Sequence, residues 1–243
     1  MPNTLSVIIT AYNKNDITKI HVRECMNADL MPDEIIVVND SGTPDLKDKL
    51  KELSKKTKII YAEILPPKIL WNYNGACNLG VWLSKGDYLA IEDNDNIPHK
   101  DFYGEAIKML EENPHLGRII AKARQEVSVK DIEKPVEQWN LLGSRGANQG
   151  TYILRRDIYL KLKGQDERFC GRYGWMYYDW KRRMLTQTLF SSTGTYYYVL
   201  EGQCDLPHKN DQQNYHIYHS SARERLIQSP AGILNFKFNY EVL

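Results

Sequence analysis

The stretch Tyr88-Leu89-Ala90-Ile91-Glu92-Asp93-Asn94-Asp95-Asn96 is an apolar run of strand length that stops abruptly at two aspartates one residue apart. Strand side chains alternate faces, so aspartates two apart at a strand's end point the same way. Two same-facing carboxylates repel unless something positive sits between them, and a divalent cation is the usual solution. An acidic turn closing a strand is the plainer alternative, because Asp and Asn are common turn residues.

Upstream of this stretch the chain alternates strand and helix. Leu5–Thr10 and Glu34–Val38 are short β-branched runs that read as buried strands, and Lys58–Ala62 is a third. Between them, Asp16 is a plausible N-cap for a helix to about Ala28, and Asp45 to about Lys55 reads as a charged surface helix. Asn74–Lys85 looks helical and is stopped by Gly86. Such alternation argues for right-handed βαβ crossovers and a mostly parallel sheet. Ligands bind beyond the carboxyl ends of such strands, which puts the loops at Tyr12, Asp40 and Asp93-Asn94-Asp95 on one rim. Neither a Gly-x-Gly-x-x-Gly nor a phosphate-loop lysine motif is present, so dinucleotide and P-loop readings lack their main support.

The second half is less regular. Asp101–Glu112 reads as a helix, Gly117–Val127 contains a strand, and Ser128–Gly146 looks like a long connection. Gly150–Leu154 is a strand and Arg156–Leu162 a short helix. A glycine-punctuated loop, Gly164–Trp175, leads to a helix from Tyr177 to about Leu185, and Thr195–Leu200 is a tyrosine-rich strand.

Composition narrows the class. The 243 residues suffice for one large domain or two small ones, and 26% charged with 42% hydrophobic residues is ordinary for a globular protein. A net charge of +1 gives no nucleic-acid footprint. No apolar run approaches the roughly 20 residues that span a bilayer. Met1-Pro2-Asn3-Thr4 lacks the basic region of a signal peptide, and the four cysteines (Cys25, Cys77, Cys170, Cys204) have no zinc-like spacing. A cytoplasmic protein with incidental thiols is expected.

Taken together, several spaced motifs resemble one family, the family-2 inverting glycosyltransferases of the GT-A fold. Ser6–Asn13 resembles its opening strand and loop, and Glu34–Gly42 its second strand with the base-binding aspartate. Ala76-Cys77-Asn78-Leu79-Gly80 is similar to its Ala-Arg-Asn-x-Gly helix, with Cys77 where arginine is common. Asp93-Asn94-Asp95 resembles the metal-binding Asp-x-Asp. Gly164-Gln165-Asp166-Glu167-Arg168-Phe169 and Gly174-Trp175 are similar to its Gly-x-Asp-Glu-x-Phe loop and the segment leading to its acidic motif. His216-Ile217-Tyr218-His219 resembles a paired-histidine tail. The match runs in order from Leu5 to about His219.

The resemblance implies a Rossmann-like three-layer α/β/α sandwich with a mostly parallel central sheet, as one domain over 1–243. Residues 1–98 would form the nucleotide-sugar-binding half, 99–219 the acceptor and catalytic half, and 220–243 a tail. It implies donor contacts from Thr10, Tyr12, Asp40, Asn78, Asp93 and Asn94, with Tyr12 against the base and Asp40 accepting from a base N–H. Mn²⁺ or Mg²⁺ would be held by Asp93 and Asp95, with His216 favoured over His208 and His219 as a third ligand. Trp175 and Tyr173 would meet the acceptor. His21, His99 and His115 sit in surface-like contexts and are left out of the site. The donor would be a nucleotide diphosphate-sugar, a UDP-sugar first, and the acceptor a glycan or other hydroxyl compound, met in solution or at a membrane surface.

One part of the pattern breaks. The family places a general base in a Glu-Asp motif after Gly-Trp, but this chain reads Gly174-Trp175-Met176-Tyr177-Tyr178-Asp179. Straight counting puts Met176 and Tyr177 on the acidic positions, whereas a shifted register makes Asp179 the base. Asp179 is the candidate; pairing with Arg182 or Arg183 on a helix is its bland alternative. Two other readings stay open: a same-fold transferase with another mechanism or a base such as Glu126, and a non-catalytic nucleotide-sugar or glycan-binding module.

Overall fold

The computed structural model describes residues 3–40, 45–201, 211–220 and 234–243. The first half is β1 (Leu5–Ala11), α1 (Asn15–Met26), β2 (Glu34–Asn39), α2 (Asp45–Lys51), β3 (Lys58–Ile64), α3 (Tyr73–Leu83) and β4 (Tyr88–Asp93). Next come β5 (Ile97–Pro98), α4 (Phe102–Glu112), β6 (Leu116–Ile120), β7 (Ala123–Val127), β8 (Leu141–Gly146), β9 (Tyr152–Arg155) and α5 (Arg156–Lys161). The chain closes with α6 (Met176–Leu185), β10 (Leu189–Ser192), β11 (Tyr196–Leu200), α7 (Gln212–Ser220) and β12 (Phe238–Val242).

Eight strands form the main sheet in the order β10-β6-β9-β4-β1-β2-β3-β12. Pairings β4–β1, β1–β2, β2–β3 and β10–β6 are parallel, while β9 and β12 enter antiparallel. The period-2 alternation of the buried strands sorts the core onto two faces. Leu5, Val7 and Ile9 of β1 pack with Val22 and Cys25 of α1, Leu46 and Leu50 of α2, and Phe102 and Ala106 of α4. On the other face, Ile8 joins Ala76 and Leu79 of α3, Ile158 of α5, and Trp180 and Met184 of α6. Two helical layers therefore sandwich the sheet, as expected. A smaller sheet, β5-β11-β7-β8, stands beside it.

Register sets up the rim. Thr10 lies opposite Val38 on one side and Asp93 on the other, so β1, β2 and β4 end level. Tyr12, Asp40 and the Asp93–Asp95 turn thereby emerge at one edge, as the βαβ reading requires.

Several local expectations change. Lys14, in the left-handed region at φ 59°, is the residue before α1, and Asp16 sits in the first turn with no capping bond. Residues 117–127 form two strands in different sheets, because the chain leaves the main sheet after Ile120. The connection 128–146 ends in β8, and β12 lies antiparallel along β3. These short or largely exposed strands lack the buried apolar signature that marks β1–β4. His21, read from sequence as surface-like, is fully buried under the sheet's rim.

Gly80 shows how close α3 lies to β1: a Cβ there would overlap Ile8 Cγ2. Gly80→Ala is therefore expected to destabilise the fold by about 1–3 kcal/mol, overpacking outweighing the roughly 1 kcal/mol gained in helix propensity. Thermal unfolding would read this as a lower midpoint, with Gly80→Val lower still.

Candidate active site

A cleft of about 590 Å³ opens at the carboxyl-end rim, with Thr10, Tyr12, Asp40, Asp93, Asn94 and Asp95 all in its wall. These elements come from separate parts of the chain, and the level strand ends bring them together. Trp71, Tyr73, Arg124, Asn148, Tyr173 and Tyr177 complete much of the lining.

Part of the cleft wall is aromatic. Tyr12 stacks on Trp71 (centroids 5.8 Å, planes 19° apart), and Trp71 meets the edge of Tyr173 at 5.2 Å. Beside them Asp40 is buried, its Oδ2 accepting from the Asn72 backbone N–H at 3.2 Å and its Oδ1 without a hydrogen-bond partner among the described residues. Burial pushes the Asp40 carboxyl up to about 6, against the hydrogen bond from Asn72 and the charge of Lys68. A buried acceptor without a donor is costly.

Another part of the wall is the acidic turn. Asp93 Oδ2 accepts from Asn148 Nδ2 at 2.8 Å, and Asp95 Oδ2 is ion-paired with Lys14 Nζ at 2.8 Å. Burial first, and the Asp95 charge second, push Asp93 up to about 6. The Asn148 loop is tied down by Arg118, a buried guanidinium that donates to Gln149 and stacks over the Tyr152 ring at 4.6 Å. Gly150 permits the approach: a Cβ there would stand 2.9 Å from Asp93 Oδ2 and from the Tyr177 ring. The residues fit a hard divalent cation. Both donors are carboxylate oxygens from one turn, and Asp95 already draws a positive group onto itself.

Other expected residues lie elsewhere. Asn78 is buried and fully used: its amide donates to Gln165 O and Glu167 Oε1, and its carbonyl accepts from Gln165 N and Tyr159 OH. It latches α3 to the Gly164–Phe169 loop and is absent from the cleft wall. Asp179 is buried and turned to Arg183 Nε at 3.0 Å and Arg182 Nη2 at 3.6 Å, while Met176 and Tyr177 face the cleft. Position on the first turns of α6 decides this, since Asp179 lies on the side packed against the chain's interior. Glu126 pairs with Arg145. His216 is exposed on α7, whose Tyr215, Tyr218 and His219 pack around Trp175. Neither His216 nor Trp175 lines the cleft, whereas Tyr173 does. His208 lies outside the described residues.

Tyr177, which straight counting puts on an acidic position of the family, lines the cleft; Lys14, Trp71, Arg124 and Asn148 line it too, and the sequence does not single them out. Lys14 carries a weak signal, as a cation next to Asn13 in a strand-end loop; the others owe their place to long-range packing. Burial pushes Tyr177 and Tyr73 well above the usual phenol range, so both keep their hydroxyl protons.

Asp179→Asn leaves the Arg183 guanidinium buried without its anion and is expected to cost about 3 kcal/mol in urea unfolding, while leaving ligand binding in the cleft nearly unchanged. Asp40 titrates near 4 when unfolded and at about 6 when folded, so stability falls as pH rises through that window and the full penalty applies above it. Asp40→Asn is accordingly expected to stabilise the protein at pH 8 by at most about 3 kcal/mol, with no gain at pH 4.

Comparison with known proteins agrees with this geometry. The family described as Glycosyl transferase family 2 matches residues 6–179. "Probable glycosyltransferase YdaM" of Bacillus subtilis (strain 168) is 29% identical over 181 residues, covering 68% of this chain and 43% of that protein. An uncharacterized glycosyltransferase of Haemophilus influenzae is 30% identical over 112 residues, 46% of this chain and 34% of its own length. The chain thus spans less than half the length of these relatives. Among solved structures, S. aureus TarS 1-349 superposes with a TM-score of 0.66 at 13% identity, over 94% of this chain and 67% of that one. The mannosyltransferase PcManGT from Pyrobaculum calidifontis, solved with GDP-Man and Mn²⁺, gives 0.58 at 16% identity, over 94% and 63%. Both neighbours have the GT-A fold. With the level strand ends, the acidic turn and a family match over most of its length, this chain belongs to glycosyl transferase family 2.

Proposed function

We propose that the protein transfers a sugar from a nucleoside diphosphate-sugar, a UDP-sugar first, to a hydroxyl of a glycan or other acceptor, with inversion and with Mn²⁺ or Mg²⁺. The carrying observation is that Asp93 and Asp95 share one cleft with Tyr12 and with Asp40, whose buried Oδ1 has no donor among the described residues. TarS 1-349 has also been solved with UDP, and PcManGT with GDP-Man and Mn²⁺, ligands of the proposed kind on the same fold.

In this reading the base lies against Tyr12 and gives an imide N–H, such as uracil N3–H, to Asp40 Oδ1. Lys14 and Arg124 face the diphosphate, and Asp93 and Asp95 hold the cation. That cation supplies Lewis-acid stabilisation of the diphosphate leaving group. Tyr177 offers a protonated hydroxyl to sugar or acceptor, as a donor and not as a base, while Tyr73 gives its hydroxyl hydrogen to the Gly150 carbonyl at 2.9 Å. Residues 1–98 serve mainly the donor and 99–219 mainly the acceptor, with Arg124 reaching the diphosphate from the second half, in a cytoplasmic protein that meets its acceptor in solution or at a membrane surface. Among the described residues no helix is long and apolar enough to cross a membrane.

A second reading, donor binding without transfer, draws on one observation: Met176 and Tyr177 face the cleft where the family carries acidic residues, and Asp179 is held by arginines. Product analysis after incubation with a cleavable donor separates the two, since a pure binder yields neither transferred sugar nor free nucleotide diphosphate.

The donor reading is checked by thermal shift against uridine, guanosine and thymidine diphosphates, each with and without Mn²⁺. One nucleotide at about a hundred times its Kd is expected to raise the midpoint by about 5–10 °C in the presence of Mn²⁺. Asp95→Asn should remove the metal dependence. Absence of any metal-dependent shift would overturn the reading.

A further inference from the structure

Helix α1 and the residue before it carry a polar stripe at helical spacing, of which the proposed chemistry uses only Lys14. Lys14 stands before the helix, followed by Thr18, His21 and Cys25 on the same face, and the last three are fully buried. All four side chains face the end of β4. Burying a histidine inside an otherwise apolar layer is unfavourable unless both ring nitrogens are used.

Here both are used. His21 Nδ1 lies 3.2 Å from the backbone carbonyl of Asn94, and Nε2 lies 2.7 Å from Glu92 Oε2. A carbonyl can only accept, so Nδ1 carries the hydrogen it gives to Asn94. Glu92 also accepts from Tyr103 OH at 3.1 Å on Oε2 and from Tyr197 OH at 3.2 Å on Oε1. Cys25 Sγ sits 3.1 Å from Tyr103 OH, so its thiol hydrogen has an acceptor once Tyr103 has given its own to Glu92. The ring is held at both edges and cannot rotate.

The residue held by Nδ1 is the middle of the acidic turn. Its side chain is held as well: Asn94 Nδ2 donates to Asn13 O at 3.0 Å and to Thr18 Oγ1 at 2.9 Å. Helix α1 and its leading loop therefore grip Asn94 by main chain and side chain, while Lys14 takes Asp95. Two like charges flanking Asn94 would relieve their repulsion if that residue could turn. We infer that His21 is a positioning residue for cation binding, fixing the Asn94 peptide through Nδ1–H so that Asp93 and Asp95 stay converged before a cation arrives. This inference rests on the proposal that Asp93 and Asp95 hold the divalent ion.

The same cluster has the donor types of a metal centre, since His21, Cys25 and Glu92 offer ligand atoms all within 4.8 Å of one another. Its oxygens are already engaged by hydrogen bonds from His21, Tyr103 and Tyr197, and a 2.7 Å nitrogen–oxygen contact is hydrogen-bond length, so the cluster is assigned to hydrogen bonding.

The test is Mn²⁺ binding to the folded protein without nucleotide, read by loss of the free-ion electron paramagnetic resonance signal. The double variant His21→Leu/Glu92→Gln removes the ring without stranding a buried charge, and circular dichroism verifies its fold. It is expected to bind Mn²⁺ about tenfold or more weakly, the usual effect of losing a group that orients metal ligands. His21→Asn, whose amide can replace Nδ1–H, should restore affinity to within about threefold of wild type, well inside that range. Tyr103→Phe loosens the same cluster without touching Asn94 and should lower the melting midpoint with affinity unchanged. The inference is overturned if the folded double variant binds Mn²⁺ like wild type, or if Tyr103→Phe weakens binding as much. Stoichiometric zinc in the purified wild type, released by His21 substitution, overturns it too. Asp95→Asn keeps the two levels apart: wild-type Mn²⁺ binding that is insensitive to it brings down the cation reading and this inference together, whereas Asp95-dependent binding unaffected at His21 brings down the inference alone.

Discussion

Two carboxylates held one residue apart on the same side of a strand end repel each other, and much of the surrounding structure answers that repulsion. Lys14 places an ammonium on Asp95, Asn148 donates to Asp93, and His21 and Thr18 hold the residue between them. None of these groups is near the turn in sequence. The parallel pairing of β1 with β4, which sets Thr10 opposite Asp93, brings helix α1 alongside the turn and supplies most of them.

The cleft is costly to maintain. Asp40 and Asp93 are both driven up to about 6, mainly by burial, so at neutral pH the fold carries charges it would rather neutralise. Among the described residues Asp40 keeps an oxygen without a donor, and Lys14 and Trp71 adopt positive φ. Two buried carboxylates raised together in one cleft, while the two faces of the sheet are packed with apolar residues, point to a surface arranged for a ligand. The carboxylate expected to complete catalysis shows the opposite treatment, since Asp179 is satisfied by two arginines inside the fold.

Legibility follows signal type. Strands β1 to β4 are readable because each is a dense apolar run bounded by polar loops, and the rim follows from their alternation with helices. Strands β8, β10 and β12 leave no such trace, being short and largely exposed, so their pairing depends on neighbours far along the chain. Tyr12, Asp40, Asp93 and Asp95 are legible as rim residues because each stands at or just beyond a strand's carboxyl end. Asn78 belongs to the donor set by family resemblance, yet it spends all its hydrogen bonds on Tyr159 and the loop at Gln165. His21 reads as a surface residue because its neighbours on the same helix face, Thr18 and Cys25, are a hydroxyl and a thiol. A buried polar stripe resembles a solvated one until the partner face is known.

Local order along the chain was enough to specify the alternating strands and helices, the rim and the acidic turn, because apolar periodicity and turn chemistry act over a few residues. Which side chains enter the cleft was settled by packing. On α6 the helical turn sends Met176 and Tyr177 to the cleft and Asp179 to Arg183, and on α1 it sends His21 beneath Asn94. Those directions depend on how each helix is rotated against the sheet, a long-range property that no short stretch of residues carries.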